Sequence, residues 1–562
     1  MLGWIIEENG TKRLGKKQII GTELWFEYKH NGRFLEDKVC IDNEYVFLLL
    51  DGVIFNVDEL LADSPMGWEE YALTSIQKDQ ENFLKSLRGS FNGIFINKIE
   101  HSINAFVDQL GERPVFYYSG EEKLVVSSNF NWLVENLKNN GLECKPDYDA
   151  IKNMLYFGYM MDNKTFVKCI KRVFPGNIVH YKKGVPEEQK YFRFDNSDVL
   201  DVSDDELIEL IDTTFVKAVR REFEKDKKYG YKHLVDISGG MDARAICFVA
   251  KALGYTDVTN ICYSQMNADE RKITEELIRQ LGNDYIFKSL NNASFLYDID
   301  ETIKENYGLT FYAGITGGRS LLKTLNPNQF GIEHTGILGD VYGGSFSVHP
   351  VYEKPYIMDK QRFTHLLDID IKTDFLNEFA ENELLWFYTR GLLGAVTTHL
   401  IRQNYFETYS PFEDIEVLEL MFKIPLEKRI TDRIYVKWLE KKYPEAVKVK
   451  YAQTLCKPTS SKWKIKCMAA WKIAYFKVIL PILHKFNSKI ELNYRGTMNP
   501  VDYWCNTNET LANFIEQYFQ NTIELVDNVE IKENLYTMHN EGNAVDKMIM
   551  LTVLGVYNVY FK

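Results

Sequence analysis

LVDISGGMDARAICFVAKALG, residues 234–254, is the stretch on which the fold turns. A short apolar run ends in Ser238-Gly239-Gly240, an acid follows at Asp242, and a helical apolar periodicity begins at once. This is a strand passing through a tight glycine turn into a helix. In open parallel sheets, ligands bind beyond the carboxyl ends of the strands, where helix N-termini offer unpaired N–H groups. Glycines there let backbone amides approach a phosphate closely, and the Ser238 hydroxyl adds a donor. Asp242 by itself repels phosphate, so a phosphate site here also calls for a bridging cation such as Mg2+. The competing reading is a plain strand-to-helix turn whose first-turn acid is favoured by the helix dipole. Spacing alone leaves both open.

The chain around this turn alternates strand and helix. VTNICYS reads as a second strand, ADERKITEELIRQL as a helix closed by Gly282, and YIFKSL as a third strand. Such alternation predicts a parallel, helix-covered sheet. About a hundred residues on, HTGILGDVYGGSF (334–346) follows the apolar run FGIEH and sets Asp340 among glycines. Two glycine turns with acids in one α/β unit can present two carboxylates to one cation; the plain alternative is two unrelated turns. Before residue 190 the pattern differs. YVFLLLDG (45–52), FNGIFIN (91–97), SINAFVD (102–108), PVFYY (114–118) and KLVVSS (123–128) are short runs between turn residues, and read as strands. Trp68 to Leu87 has helical periodicity. The acidic stretch NSDVLDVSDDE (196–206) marks a boundary, giving domains 1–195 and 205–562, with mostly helical sequence after about residue 355.

Composition narrows the function classes. A net charge of −13 argues against a general nucleic-acid binder, because phosphate contact needs a basic surface. The eight cysteines form no CxxC pair and no disulfide framework, which fits a reducing cytoplasm. The ten histidines show no HExxH, so spacing gives no transition-metal motif. The start of the chain lacks a signal-peptide layout, and no run of about 18 apolar residues suggests a membrane span. Gly10 to Lys17 nearly spells a Walker A loop, but Lys17 stands where a hydroxyl is required and a strand-like IIGTELWFEY follows, so it reads as a basic turn. KWKIKCMAAWKIAYFKVILPILHKF (462–486) is basic and aromatic in an acidic protein. It reads either as a helix packed on its own domain or as a contact with a membrane surface or acidic partner.

These residues resemble the asparagine synthetase family. Its synthetase domain carries a pyrophosphate loop of the form SGGxDS, matched by Ser238-Gly239-Gly240-Met241-Asp242. Its second glycine segment is matched by Thr335-Gly336 through Gly343-Gly344, and its R-x-PF-x-D segment by Tyr409-Ser410-Pro411-Phe412-Glu413-Asp414. In the first domain, DGVIFNVDEL (51–60), LRGSFNGIF (87–95), DQLGERPVFYY (108–118) and FPGNIVHY (174–181) follow the order of the family's glutaminase motifs. The resemblance implies an amino-terminal αββα sandwich of the Ntn-hydrolase type, then a parallel-sheet α/β ATP-pyrophosphatase domain with a helical carboxyl-terminal part. It further implies ATP with Mg2+. Ser238, Gly239 and Gly240 would take the pyrophosphate, Asp242 and Asp340 the metal, and Leu234, Cys262 and Gly336 would line the nucleotide; for Leu234 and Cys262 a simple core role is the equal alternative. A lysine near the domain's end is implied for catalysis, with Lys450 and Lys457 as candidates in an open register.

The departures matter as much. Working glutaminase domains begin Met-Cys-Gly; here Leu2 stands in the nucleophile's place and has no nucleophilic atom. The family's Asn-Gly-Glu reads Asp51-Gly52-Val53, Ile337-Leu338 replace the region of a catalytic glutamate, and Ala243 replaces a serine. β-Lactam synthetases and lasso-peptide cyclases are similar in keeping such a first domain as a scaffold. The expected function is an ATP-dependent amide-forming ligase that activates a small-molecule or peptide carboxylate as an acyl-adenylate, without glutamine hydrolysis. The alternatives are a non-catalytic nucleotide- or partner-binding relative and an asparagine synthase using free ammonia.

Overall fold

The computed structural model describes residues 2–8, 15–120, 123–182, 185–314, 316–344, 362–371, 373–430, 433–486 and 496–562. Most of the Walker-like turn, Gly10 to Leu14, lies outside them, as do Ser345 and Phe346 of the second glycine segment.

The chain opens with β1 (Gly3–Glu8), β2 (Lys17–Gln18), β3 (Leu24–Lys29), β4 (Val39–Asp42), β5 (Val46–Ile54), β6 (Gly89–Asn97), β7 (Ser102–Val107), β8 (Phe116–Tyr118), β9 (Val125–Ser127), β10 (Ile170–Arg172), β11 (Asn177–Lys182) and β12 (Val185–Lys190). They form two six-stranded sheets, ordered β10-β8-β9-β1-β3-β2 and β12-β11-β7-β6-β5-β4, with antiparallel neighbours. Alternation along each strand sends one set of side chains between the sheets: Trp4 and Ile6 from β1 meet Phe47, Leu49, Ile94 and Val126. Trp4 Nε1 keeps its polar atom satisfied there by donating to Asn92 Oδ1 at 2.9 Å. The outer face of the second sheet packs under helices Trp68–Lys78 and Gln80–Ser86, and that of the first under Phe130–Asn139 and Tyr148–Phe157. The layers are therefore α, β, β, α, as expected. The single helix expected over Trp68–Leu87 is two, because Asp79 leaves the helical conformation and caps the second through the Asn82 N–H.

Beyond residue 200 the architecture changes to a five-stranded sheet of β13 (Lys232–Asp236), β14 (Val258–Ser264), β15 (Asp284–Ser289), β16 (Phe330–His334) and β17 (Glu407–Tyr409), ordered β15-β14-β13-β16-β17 and parallel throughout. The order reverses between β13 and β16, so a crevice opens past their carboxyl ends. The remaining described residues are mainly helical. The apolar helical run Ala544–Phe561 is long enough to cross a bilayer by length and composition, but 72% of it is buried against the rest of the fold. The helical run from Lys462 to Phe486 lies outward: no residue of Lys462–Ala474 is buried, and Trp463 is 76% and Phe486 88% exposed. Towards its end Leu480 is buried, so the run packs on the fold there.

Helix Asp204–Lys228 joins the two halves. Ser203 and Glu206 close a capping box, three acids occupy its first turn, and Lys225, Lys227 and Lys228 its last, all matching the helix dipole. Lys225 reaches Asp37 of the sandwich at 2.9 Å, and Arg221 reaches Glu59 at 2.6 Å. On its other face Glu222 and Asp226 grip the buried His334 of β16 at 2.7 and 3.0 Å. Burial opposes charge on His334, but the two carboxylates outweigh it and raise its pKa from 6.5 to about 9. Burial lifts Glu222 to about 7 even though His334 pulls it down. Both folded-state values lie above the unfolded ones, so this stabilisation is greatest at low pH and is lost as pH rises. His334's share is complete below pH 6.5 and gone above about 9. Urea unfolding should show stability falling over that range by at most about 3 kcal/mol, and His334→Gln should flatten the fall. A pH-independent midpoint in the native chain would contradict this assignment.

Candidate functional site

A cavity of about 320 Å3 lies past β13 and β16, lined among others by Asp236, Ser238, Asp242, Cys262, Tyr263, Thr335, Gly336 and Asp340. Five of the residues singled out in the sequence thus share one wall: Ser238, Asp242, Cys262, Gly336 and Asp340. What brings them together is a close approach of the two glycine turns. A Cβ on Gly339 would lie 2.2 Å from Asp242 Cγ, and one on Gly336 would lie 2.9 Å from the Ala243 nitrogen. Each glycine is there because the first turn occupies the space of its side chain. Leu338, between them, is held at φ 64, a left-handed conformation that leucine adopts only when its surroundings fix it. The second turn is fixed from behind: the Thr335 N–H donates to the Tyr409 carbonyl at 2.8 Å and Ser410 Oγ to the Ile337 carbonyl at 2.9 Å.

The glycine loop is braced from below. Arg244 is fully buried, and its guanidinium donates to the carbonyls of Gly239, Ala446, Val449 and Lys450. Burial pushes its pKa down to about 10, which leaves it charged at neutral pH. Gly239 faces inward, where a Cβ would meet Ala452 Cβ at 2.6 Å, and its N–H donates to the Glu270 carboxylate. The Gly240 N–H donates to Ser238 Oγ at 3.1 Å. Neither glycine lines the cavity. Leu234 does not line it either; it packs with Ile261, Phe330 and Phe406 in the core. Burial, with Glu270 nearby, raises the Cys262 thiol to about 12, so this cysteine is wall rather than nucleophile. Lys450 and Lys457 are exposed and stand outside the lining.

The floor belongs to residues with no sequence motif. Arg402 donates to Asp236 at 2.9 Å, to Tyr263 Oη at 2.6 Å and to Glu333. Asp236 and Tyr263 carry that buried ion cluster to the cavity surface. Asp236 was visible as the last acid of the opening strand, but the segment THLIRQN that supplies Arg402 resembles any amphipathic helix.

A second cavity of only about 80 Å3 lies where Leu2 begins the sandwich, bounded by Asp51, Asn92, Arg113, Asn129 and Glu407. Asp51 accepts from Lys38 at 2.7 Å and Tyr28 at 2.8 Å, and Arg113 pairs with Glu407 of the parallel-sheet half. Burial alone would raise Asp51, but Lys38 and Arg113 hold it down at about 2. Asp51, Arg113 and Glu407 of this pocket are each ion-paired.

With this geometry in place, likeness to known proteins is informative. Residues 40–192 match a glutamine amidotransferase domain. The glutamine-hydrolyzing asparagine synthetase 1 of Bacillus subtilis is 21% identical over 272 residues, covering 47% of this chain and 42% of that enzyme, so the match spans less than half of its length. Among solved structures, a glutamine phosphoribosylpyrophosphate amidotransferase from B. subtilis complexed with ADP and GMP is 12% identical, covering 51% of this chain and 85% of its own at a TM-score of 0.24. An allosteric regulatory enzyme of purine biosynthesis is 13% identical, covering 51% and 74% at a TM-score of 0.23. Residues 40–192, within the αββα sandwich, are thus similar to a glutamine amidotransferase domain. About half of the chain is similar in sequence to that asparagine synthetase.

The close approach of the turns is directly testable. Gly339→Ala should displace the Asp242 carboxyl and lower the melting temperature, while the far-UV spectrum stays native. An unmoved Asp242 in a crystal structure of the variant would show that the close approach does not set its position.

Proposed function

We propose that this protein is an ATP-dependent amide-forming ligase that works without glutamine hydrolysis. The observation that supports this most is the convergence of Ser238, Asp242, Gly336 and Asp340 on one cavity at the switch point of a parallel sheet. In this reading a substrate carboxylate oxygen attacks the α-phosphorus of ATP, and the bond to pyrophosphate breaks. An amine nitrogen then attacks the acyl carbon, AMP leaves, and the nitrogen gives up a proton. Asp242 and Asp340 offer the hard carboxylate oxygens that Mg2+ prefers, and the ion would neutralise charge on the departing pyrophosphate. Ser238 sits beside them with a hydroxyl for a phosphate oxygen. The amide of Gly239 is taken by Glu270, so phosphate binding rests on Ser238 and the metal more than on that glycine. Leu2, which has no nucleophilic atom, borders a small pocket in which Asp51 and Arg113 are ion-paired, and this supports a reading without glutamine hydrolysis.

Pyrophosphate exchange into ATP, screened over small-molecule and peptide carboxylates, tests the first half-reaction. Exchange should appear with one acid class, and product should form with ammonia or an amine but not with glutamine. Asp242→Asn should lower exchange by roughly 100-fold or more, since metal neutralisation of the leaving group is worth several kcal/mol. Neither exchange nor ATP binding would favour a non-catalytic relative, and efficient exchange with aspartate plus ammonia would favour asparagine synthesis.

A second reading, independent of the first, concerns the outward helix. Lys462, Lys464, Lys466, Lys477 and Lys485 share it with the exposed Trp463, Trp471, Ile473, Ile482 and Phe486. Cations beside exposed aromatics suit an anionic lipid surface. The protein should sediment with vesicles containing phosphatidylserine and not with neutral phosphatidylcholine, and Trp463→Glu with Trp471→Glu should abolish it. Equal recovery with both lipids would count against the idea.

A further inference from the structure

Apart from the cavity, the least expected chemistry in the molecule lies between its two halves. Glu112 leaves the sandwich on the loop after β7, Glu413 sits in the short turn Pro411–Glu413 after β17, and His399 begins helix His399–Gln403. All three are buried, at 1%, 0% and 0% exposure. One donor atom from each lies within 4.8 Å of the others, with His399 Nδ1 3.7 Å from Glu413 Oε1.

None of these atoms has a partner. Both oxygens of Glu112, both of Glu413 and Nδ1 of His399 are buried without a hydrogen bond. Ser90 Oγ stands beside Glu112, also outside hydrogen-bond geometry. The nearby guanidiniums make their hydrogen bonds elsewhere, Arg113 to Glu407, Arg172 to Thr397 Oγ1 and the Gly111 carbonyl, Arg402 to Asp236 and Glu333; Arg172 Nε and Arg402 Nε stay unpartnered, and of the three the Arg113 charge acts on Glu112. A buried carboxylate left in this state costs several kcal/mol, and two face each other here. The surroundings are nonetheless rigid. Asp108 accepts the N–H groups of Phe91, Leu110, Glu112 and Arg113, which pins the loop carrying Glu112.

The histidine is oriented for a ligand. Its Nε2 contacts Thr335 Oγ1 at 3.3 Å, and with the proton on Nε2 the Nδ1 lone pair points at the carboxylates. Three acceptors then converge with no donor among them. A metal-binding histidine commonly uses its other nitrogen in this way, to fix tautomer and ring orientation. One divalent cation would balance two carboxylates and take the imidazole lone pair, leaving a neutral centre.

We infer that Glu112, His399 and Glu413 form a resident metal site for a zinc-class divalent ion, bridging the sandwich and the parallel-sheet half. An imidazole with two carboxylates suits zinc, manganese or ferrous iron, whereas Mg2+ takes oxygen ligands. Tetrahedral zinc holds its donors about 3.3 Å apart, so the three side chains draw in by roughly 1 Å or more at the widest pair. Through Thr335, which lines the larger cavity, the ion would also set the position of that wall. The site is distinct from the Asp242–Asp340 pair and does not depend on the ligase reading.

The test uses the full-length protein, stripped with a chelator and reloaded with zinc alone. Elemental analysis should return one zinc per chain, and zinc should raise the melting temperature. Glu112→Gln and Glu413→Gln should each lower zinc affinity by about 100-fold or more, while Asp242→Asn retains it. Thr335→Val should lower it by about tenfold, as expected for the partner that orients a ligand. Should the glutamine variants fail to fold, X-ray absorption on the zinc-loaded native chain decides: one imidazole with oxygen neighbours supports the site, and sulfur ligands or no imidazole overturn it. A folded native chain that takes up no zinc, or glutamine variants that bind as the native chain does, would show instead that the two glutamates merely share a proton.

Discussion

The near-contact of Gly339 with the Asp242 carboxyl holds the two halves of the cavity rim together. Strands β13 and β16 are neighbours, so the turns that leave them must pass within a few ångströms of each other. Glycines at 336 and 339 let that happen without displacing Asp242, and the buried Arg244 and the Tyr409–Ser410 segment keep each turn from relaxing away. Asp242 and Asp340 therefore face one space although 98 residues separate them in the chain. Ala243 fits the same constraint: it is buried, and its backbone nitrogen takes the room next to Gly336.

The sandwich supports this rim without sharing its chemistry. Its contacts with the parallel-sheet half are ionic and apolar: Lys225 pairs with Asp37, Arg221 with the partly exposed Glu59 and Arg113 with Glu407, while Phe34, Val53 and Phe55 pack with Ile332 and Tyr409. A buried pair gives orientation more than net stability, because desolvation offsets most of the attraction, whereas breaking one partner leaves a bare charge. Several such pairs fix how the halves meet. One of these pairs, Arg113 with Glu407, borders the pocket below Leu2.

Much of this was legible in the sequence, for identifiable reasons. Strand runs such as FNGIFIN and helices ended by Gly254 and Gly282 declare themselves by period and punctuation, and their elements lie where the pattern puts them. The strand-turn-helix at 234–252 was legible from the apolar run, the glycine pair and the helical period that follows, whereas spacing alone left the turn's use open between a phosphate site and a plain turn. Long-range partners were not. Arg402, Arg244 and Glu270 carry no local signature, since each acts by crossing to an element remote in sequence. The inward face of Gly239 was hidden for the same reason: its packing against Ala452 joins segments more than two hundred residues apart. For Leu234 the family resemblance implied a nucleotide contact with a core role as the equal alternative, and it packs in the core with Ile261, Phe330 and Phe406. Glu112, His399 and Glu413 come from three unrelated segments, so only the fold brings them together.

The central claim is that the space between the two glycine turns receives the phosphates of ATP. A crystal structure of the protein with Mg2+ and a non-hydrolysable ATP analogue tests it most directly. The account predicts the phosphates beside Ser238, with the ion on Asp242 and Asp340 and the base toward Cys262. Nucleotide bound elsewhere on the molecule, or within the cavity but away from both aspartates, would contradict it.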